Sequence, residues 1–238
     1  MALDYFDATV YNIIDESPTV KRFQLEFKDL EKFEFTAGQY VKVDFPIEDK
    51  KTYRQYSISS IPKGDNKIEL LIVYNPVGKG TNYLFKVVKI GTILKVSKAL
   101  GRFVLPENSD KDICFICTGV GLAPFRSMIL DALENKKDFK RLDLIFGSRN
   151  KEDLLHYEEL KELSEKYDNF NYYPTLSRSG EEWTGKKGYV HPIYQELYKE
   201  HQDAQFYLCG WDSMISEAKT NLKEIGYTRR DILFEKYD

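Results

Sequence analysis

The sequence predicts a β + α/β fold: a small antiparallel barrel followed by a doubly wound parallel sheet. Three observations lead there. The first half is a succession of short alternating or β-branched runs broken by glycines. The second half alternates apolar strand runs with helical patterns. Between them lies a polar stretch, Pro106 to Lys111, that reads as a connection. At 238 residues the chain has room for two cores, divided here into 1–106 and 107–238.

In the first half, Val20 to Phe27, Tyr40 to Phe45, Tyr53 to Ser60, Lys67 to Tyr74 and Thr92 to Ala99 read as strands. Gly38, Gly64 and Gly91 punctuate them, and a helical insert lies near Asn82 to Val87. Short strands with one short helix describe a barrel. In the second half, Ile113 to Thr118 is a buried strand by its continuous apolar run. Pro124 to Glu134 is helical, Leu142 to Phe146 a strand, Lys151 to Tyr167 a helix and Phe170 to Leu176 a strand. Pro192 to Glu200 is a helix, Gln205 to Cys209 a strand, Trp211 to Ile225 a helix and Asp231 to Tyr237 the last strand. Such β–α alternation builds a parallel sheet.

Hydrophobic residues at 42% and charged residues at 31% argue against long disorder. With no run of 18 apolar residues, no membrane span is expected, and the opening Met-Ala-Leu-Asp-Tyr-Phe-Asp does not read as a signal peptide. Three cysteines are too few for a disulfide framework or for the four thiolates of an iron–sulfur cluster, so a reducing cytoplasm is the expected compartment. No His-Glu-x-x-His is present and the three histidines are scattered, so no metal is expected. The net charge of −3 argues against general polyanion binding. Residues 1–106 carry 16 basic and 13 acidic residues, the remainder 19 and 25, so the first half is +3 and the second −6. An acidic partner would favour the first half; chance would produce the same asymmetry.

Two segments carry chemistry. The first strand of the second half runs into Thr118-Gly119-Val120-Gly121-Leu122-Ala123-Pro124. Glycines after a strand let backbone approach a phosphate, and the following helix end presents N–H groups and partial positive charge. Pro124 suits a first helical turn. A tight structural turn would use the same glycines. In the first half, Arg54-Gln55-Tyr56-Ser57 sets a cation, an aromatic ring and a hydroxyl along one strand, suited to a charged, flat ligand. Alternation places Arg54 and Tyr56 on one face, with Ser57 opposite unless the strand ends there. An exposed amphipathic strand would read the same way.

Taken in order, Phe35-Thr36-Ala37-Gly38-Gln39-Tyr40-Val41, Arg54-Gln55-Tyr56-Ser57, Gly78-Lys79-Gly80-Thr81-Asn82-Tyr83-Leu84, Leu100-Gly101-Arg102-Phe103, the glycine turn and Leu208-Cys209-Gly210 form a distinctive set. It resembles the ferredoxin–NADP⁺ reductase superfamily of flavoproteins over nearly the whole chain. The resemblance implies a six-stranded antiparallel flavin-binding barrel and an NAD(P)-binding α/β domain. It implies that Arg54 binds the flavin pyrophosphate, with Gln55 beside it, that Tyr56 packs on the isoalloxazine, and that Ser57 lies near flavin N5. Serine at that position favours FAD over FMN. Gly80 and Thr81 match the second pyrophosphate contact. Thr118, Gly119, Gly121 and Pro124 would hold the nicotinamide dinucleotide, with Cys209 beside the nicotinamide in a geometric role. Glu235 would help relay the N5 proton, and Tyr237 would cover the flavin face, although Asp238 extends one residue beyond it.

Ser177-Arg178 after the third strand, then Lys187 and Tyr189, match the pattern by which plant-type relatives hold the 2′-phosphate and adenine of NADPH. The same loop also resembles NADH-using oxygenase reductases, so NAD remains possible. Three readings stand: a ferredoxin or flavodoxin–NADP⁺ reductase with an acidic carrier as partner; an oxygenase reductase component or free-flavin reductase; and a flavin-bearing subunit without turnover.

Overall fold

The computed structural model describes residues 3–47 and 52–237. Its chain divides into two compact units, one of residues 1–105 with 123–131, the other of 106–122 with 132–238. The expected division at 106 is therefore crossed once, by the segment Ala123–Asp131.

The first unit holds strands β1 (Tyr5–Ser17), β2 (Val20–Glu26), β3 (Tyr40–Phe45), β4 (Thr52–Ser57), β5 (Lys67–Val73) and β6 (Ile93–Ser97), with helix α1 (Lys79–Lys86) between the last two. They form a six-stranded sheet in the order β4-β3-β6-β1-β2-β5, every pairing antiparallel. A bridge between Ile58 and Leu70 joins the two ends and closes the barrel. Alternate residues point inward, and Phe23, Leu25, Val41, Val43, Ile68, Leu70 and Val96 fill the interior. Phe27 and Phe33 stack with ring centroids 4.2 Å apart. The helix begins at Lys79, three residues before the expected Asn82.

β1 supplies the sixth strand and is absent from the runs read in the sequence. Ala8 and Val10 are buried at alternate positions, but the register shifts between Val10 and Asn12 and again between Asp15 and Ser17. Each irregularity resets the alternation by one residue, and Asp7, Asn12, Asp15 and Glu16 dilute the apolar signal.

The second unit carries β7 (Ser109–Thr118), β8 (Phe139–Ser148), β9 (Phe170–Leu176), β10 (Lys186–Lys187), β11 (Ala204–Gly210) and β12 (Ile232–Lys236) in one parallel sheet of order β10-β9-β8-β7-β11-β12. The connecting helices are α2 (Leu122–Glu134), whose segment 123–131 groups with the first unit, α3 (Tyr157–Lys166), α4 (His191–Leu197) and α5 (Asp212–Glu224). α4 and α5 cover one core of Ile116, Ile145, Tyr194, Phe206, Leu208 and Ile215. The helix expected over Lys151 to Tyr167 is two pieces. A single 3₁₀ turn, Lys151–Asp153, stops at Leu154 in an extended conformation, and His156 takes a left-handed φ of 52° before α3 begins. α4 ends at Leu197, short of the expected Glu200, and the two-residue β10 is too short and too polar to leave a strand pattern.

This strand order fixes where a ligand binds. β7 leads through α2 to β8 on one side, while β11 leads through α5 to β12 on the other. The carboxyl ends of β7 and β11 thus flank a topological switch point, the place where doubly wound sheets open a crevice. No helix among the described residues is long and apolar enough to cross a membrane.

Candidate functional site

Within the barrel unit, Arg54 and Gln55 are exposed on β4, Tyr56 is half-buried against the barrel core, and Ser57 is buried at 4% exposure. Burial pushes the Tyr56 phenol well above its ordinary range, with the Arg54 charge opposing. Tyr56 is therefore a neutral ring and hydroxyl. The Arg54 guanidinium donates to the Tyr53 carbonyl at 2.8 Å, which holds it along the strand.

α1 brings a helix end to the same place. Gly80 and Thr81 lie in its first turn, where backbone N–H groups have no acceptor within the helix. A side chain at Gly80 would put Cβ 3.0 Å from the Phe45 ring and 3.3 Å from Cγ of Arg54. The helix start therefore lies directly against the arginine stem, and a side chain there would require the ring and the stem to give by a few tenths of an ångström. The Thr81 hydroxyl donates to the Asn75 carbonyl at 2.7 Å and accepts from the Asn75 N–H at 3.2 Å. It braces the loop before the helix, which leaves the backbone as the anion-binding element. A guanidinium beside a helix N-terminus suits a pyrophosphate, so the residues fit FAD.

Two other motifs brace this unit. The Gln39 carboxamide accepts from the Thr36 N–H at 2.9 Å and donates to the Gly101 carbonyl at 3.2 Å, tying the two glycine segments together. Arg126 is a residue that the motifs did not single out. Its guanidinium donates to the Ser59 carbonyl at 2.8 Å and to Glu69 Oε2 at 3.0 Å, while Ser127 donates to the Ser60 carbonyl at 2.6 Å. Its signal was a lone cation inside the otherwise apolar start of α2.

Within the α/β unit, Thr118 ends β7 and Gly119–Gly121 makes one 3₁₀ turn; the chain continues into the first turn of α2, where Pro124 sits in the segment 123–131 grouped with the barrel. Gly119 has a φ of +54°, and a Cβ there would meet nothing within 4 Å. Its backbone faces open space in a conformation that side chains disfavour. At Gly121 the reverse holds: a Cβ would collide with the backbone carbonyl of Cys209. The turn is thereby pressed onto the end of β11, right at the switch point. An open, glycine-lined turn leading into a helix fits a dinucleotide pyrophosphate.

Cys209 pairs with Glu235 on one side and Cys117 on the other. All three cysteines are buried and free. Burial raises the Cys209 thiol well above its ordinary range. Glu235 adds to the rise, and a hydrogen bond from Tyr237 offsets part of it. Tyr237 donates its N–H to the Gly210 carbonyl at 3.2 Å. Asp238 lies outside the described residues. At the far edge, Ser177 and Arg178 prolong β9 alongside β8, their N–H groups donating to the carbonyls of Ser148 at 3.0 Å and Arg149 at 2.9 Å. Both side chains are exposed, as are Lys187 on the adjacent β10 and Tyr189. Among the described residues no cluster of three His, Cys, Asp or Glu side chains could hold a metal ion.

Residues 7–105 match the oxidoreductase FAD-binding domain family, and residues 115–220 the oxidoreductase NAD-binding domain family. The chain is 32% identical over 240 residues to ferredoxin–NADP reductase B of Sorangium cellulosum, with 98% of each covered. It is 33% identical over 239 residues to the reductase component DmpP of phenol 2-monooxygenase from a Pseudomonas species, covering 98% of this chain but 65% of that longer protein. The crystal structure of the Amycolatopsis cytochrome P450 reductase GcoB superposes with a TM-score of 0.87 at 26% identity, over 99% of this chain and 71% of that one. An FAD-binding barrel, an NAD-binding sheet and a full-length reductase relative together place the chain in the ferredoxin reductase-like family of FAD- and NAD(P)-dependent oxidoreductases, and it is an FAD-dependent reductase.

Proposed function

We propose that the chain takes reducing equivalents from NADPH and delivers them singly to a small acidic redox protein, a ferredoxin or a flavodoxin. The supporting observation is the two-way coverage of 98% with the Sorangium ferredoxin–NADP reductase, in a chain that carries two helix-end anion sites, at the starts of α1 and α2. When bound, FAD accepts a hydride from a reduced nicotinamide and gives up electrons one at a time.

The protein's own contribution is binding and orientation. Arg54 and the first turn of α1 hold the flavin pyrophosphate, with Gln55 at its side. Tyr56 offers a neutral ring to the isoalloxazine, and Ser57 a hydroxyl near N5. Thr118, Gly119, Gly121 and Pro124 hold the coenzyme pyrophosphate. Cys209 bounds the nicotinamide as a thiol, Glu235 holds or releases a proton, and Tyr237 covers the flavin. Ser177, Arg178 and Lys187 bind the 2′-phosphate of NADPH, and Tyr189 stacks on adenine. The cytoplasm suits three unpaired thiols.

The carrier docks on the barrel unit in this reading. Lys21, Lys32, Lys67, Lys95 and Lys98 are already paired with neighbouring carboxylates. Lys86 and Lys89 form no ion pair among the described residues, and they flank the exposed Val87 and Ile90, 60% and 62% exposed. Lysines around an apolar patch suit an acidic protein surface. The kinship with DmpP supports a second reading, a reductase component serving an oxygenase. Mixing the NADPH-reduced protein with ferredoxin, flavodoxin, a phenol-type oxygenase component and free riboflavin tests both. Rapid reduction of ferredoxin or flavodoxin, with riboflavin slow, is expected; transfer only to the oxygenase component would replace the first reading with the second.

A further inference from the structure

From Ser177 to Tyr189 the chain is exposed or half-buried at every position except Trp183, which is 8% exposed. Its indole packs on the Tyr157 ring with centroids 5.9 Å apart, and Tyr157 packs on Tyr172 at 6.2 Å. Tyr157 opens α3 and Tyr172 lies in β9, so the loop is pinned to two regular elements. The indole N–H turns back and donates to the Lys186 carbonyl at 2.8 Å. Gly185 lies flat against the same ring: a Cβ there would sit 2.5 Å from Cζ2 and 2.7 Å from Cε2.

What this folds into place is β10. Its two residues, Lys186 and Lys187, pair with Thr175 and Leu176, and the Gly188 N–H donates to the Leu176 carbonyl at 2.8 Å. A strand of two exposed lysines buries no apolar face of its own, so beyond its backbone pairing it depends on what is attached to it. Trp183 is the apolar attachment before it and bonds its first carbonyl, while the buried Val190 anchors the chain after it.

We propose that Trp183, clasped by Gly185, is the positioning residue of the coenzyme loop: it fixes Lys187 and Tyr189 beside Arg178, so that the 2′-phosphate of NADPH meets a formed site. This rests on the reading of that loop as the 2′-phosphate end. A loop released from the indole must be ordered by the ligand, and the ordering cost appears as lost affinity for a phosphate-bearing nucleotide. The reaction at the far end of the coenzyme is left unchanged.

The test uses the FAD-loaded protein and adenosine 2′,5′-bisphosphate, which carries the phosphate without a nicotinamide. Calorimetric Kd is compared for the native protein, Trp183→Ala, Trp183→Phe, Gly185→Ala and, as a control for the loop reading, Arg178→Ala. Trp183→Ala and Gly185→Ala should weaken binding about tenfold or more, and Trp183→Phe, which keeps a ring but loses the N–H, by less. KM for NADPH should rise in parallel, with kcat at saturating NADPH and FAD content unchanged. Native affinity in both Trp183→Ala and Gly185→Ala, with Arg178→Ala weakened, overturns the anchoring role and leaves the phosphate reading standing. Native affinity in Arg178→Ala overturns the phosphate reading and the anchoring role with it. Loss of FAD and of kcat in the Trp183 variants would make the indole a general fold element and also overturn the proposal.

Discussion

Cys209 and Glu235 lie opposite each other on adjacent parallel strands, β11 and β12, at the carboxyl end of the sheet. Burial pushes the Glu235 carboxyl up to about 7, against 4.5 for an exposed glutamate. The folded protein therefore favours the protonated form. Its contribution to stability is complete below about pH 4.5 and is lost as pH rises through about 7. Glu235→Gln, which keeps shape without titrating, should gain Tm over the native protein progressively between pH 5 and pH 8. Thermal unfolding of both proteins across that range checks this, and a difference that stays constant with pH would show that Glu235 is ordinary.

Arg54→Ala should weaken FAD retention. The contact proposed for it is a charge-assisted hydrogen bond to phosphate, whose loss costs roughly 1.5–3 kcal/mol, or about ten- to a hundredfold in Kd. Flavin released on gel filtration at low protein concentration reports it. A variant that holds its flavin as tightly as the native protein would remove Arg54 from the pyrophosphate site.

The sequence showed the α/β half best, because a parallel strand buried on both faces is a continuous apolar run and Ile113 to Thr118 is one. The glycine turn was legible because Gly119 and Gly121 answer different local demands, one conformational and one steric. β1 was hidden because its irregular register breaks the alternation on which strand reading depends. Arg126 was hidden for a different reason: its partners, Ser59 and Glu69, are 67 and 57 residues away in the chain. No local pattern encodes such a contact.

Gly121→Ala meets backbone rather than a movable side chain, the carbonyl of Cys209, so the turn must shift. A stability loss of about 1–3 kcal/mol and a raised KM for the nicotinamide coenzyme are expected. Gly180→Ala, where a Cβ would meet nothing within 4 Å, serves as the comparison and should be close to neutral. Equal effects of the two substitutions on Tm and KM would contradict the close approach of this turn to β11.

In the proposed 2′-phosphate site, coenzyme choice follows from Arg178. The native protein should show a higher kcat/KM for NADPH than for NADH. Loss of an Arg–phosphate contact of about 2 kcal/mol corresponds to roughly a thirtyfold fall for NADPH in Arg178→Ala, with NADH barely changed. A native preference for NADH, or equal losses for both coenzymes, would reassign the loop.

The proposed docking of an acidic carrier near Lys86 and Lys89 would make its association rate depend on salt. Exposed charges are screened over about 8 Å at physiological ionic strength. The second-order rate of ferredoxin or flavodoxin reduction should fall steadily as salt is raised, and Lys86→Glu with Lys89→Glu should lower it further at low salt. A rate indifferent to both would move the docking surface elsewhere.

The Arg126 clamp bears on the order in which the molecule comes into being. A ribosome releases the six strands of the barrel first, yet the Ser59 carbonyl and Glu69 Oε2 wait for Arg126, which emerges 29 residues after the last of those strands ends at Ser97, beyond β7. Vectorial synthesis therefore cannot finish one unit before starting the other. The nascent barrel matures only when the first strand of its neighbour is already outside the exit tunnel, and a chain stalled at residue 106 would present a barrel with its final latch still unmade.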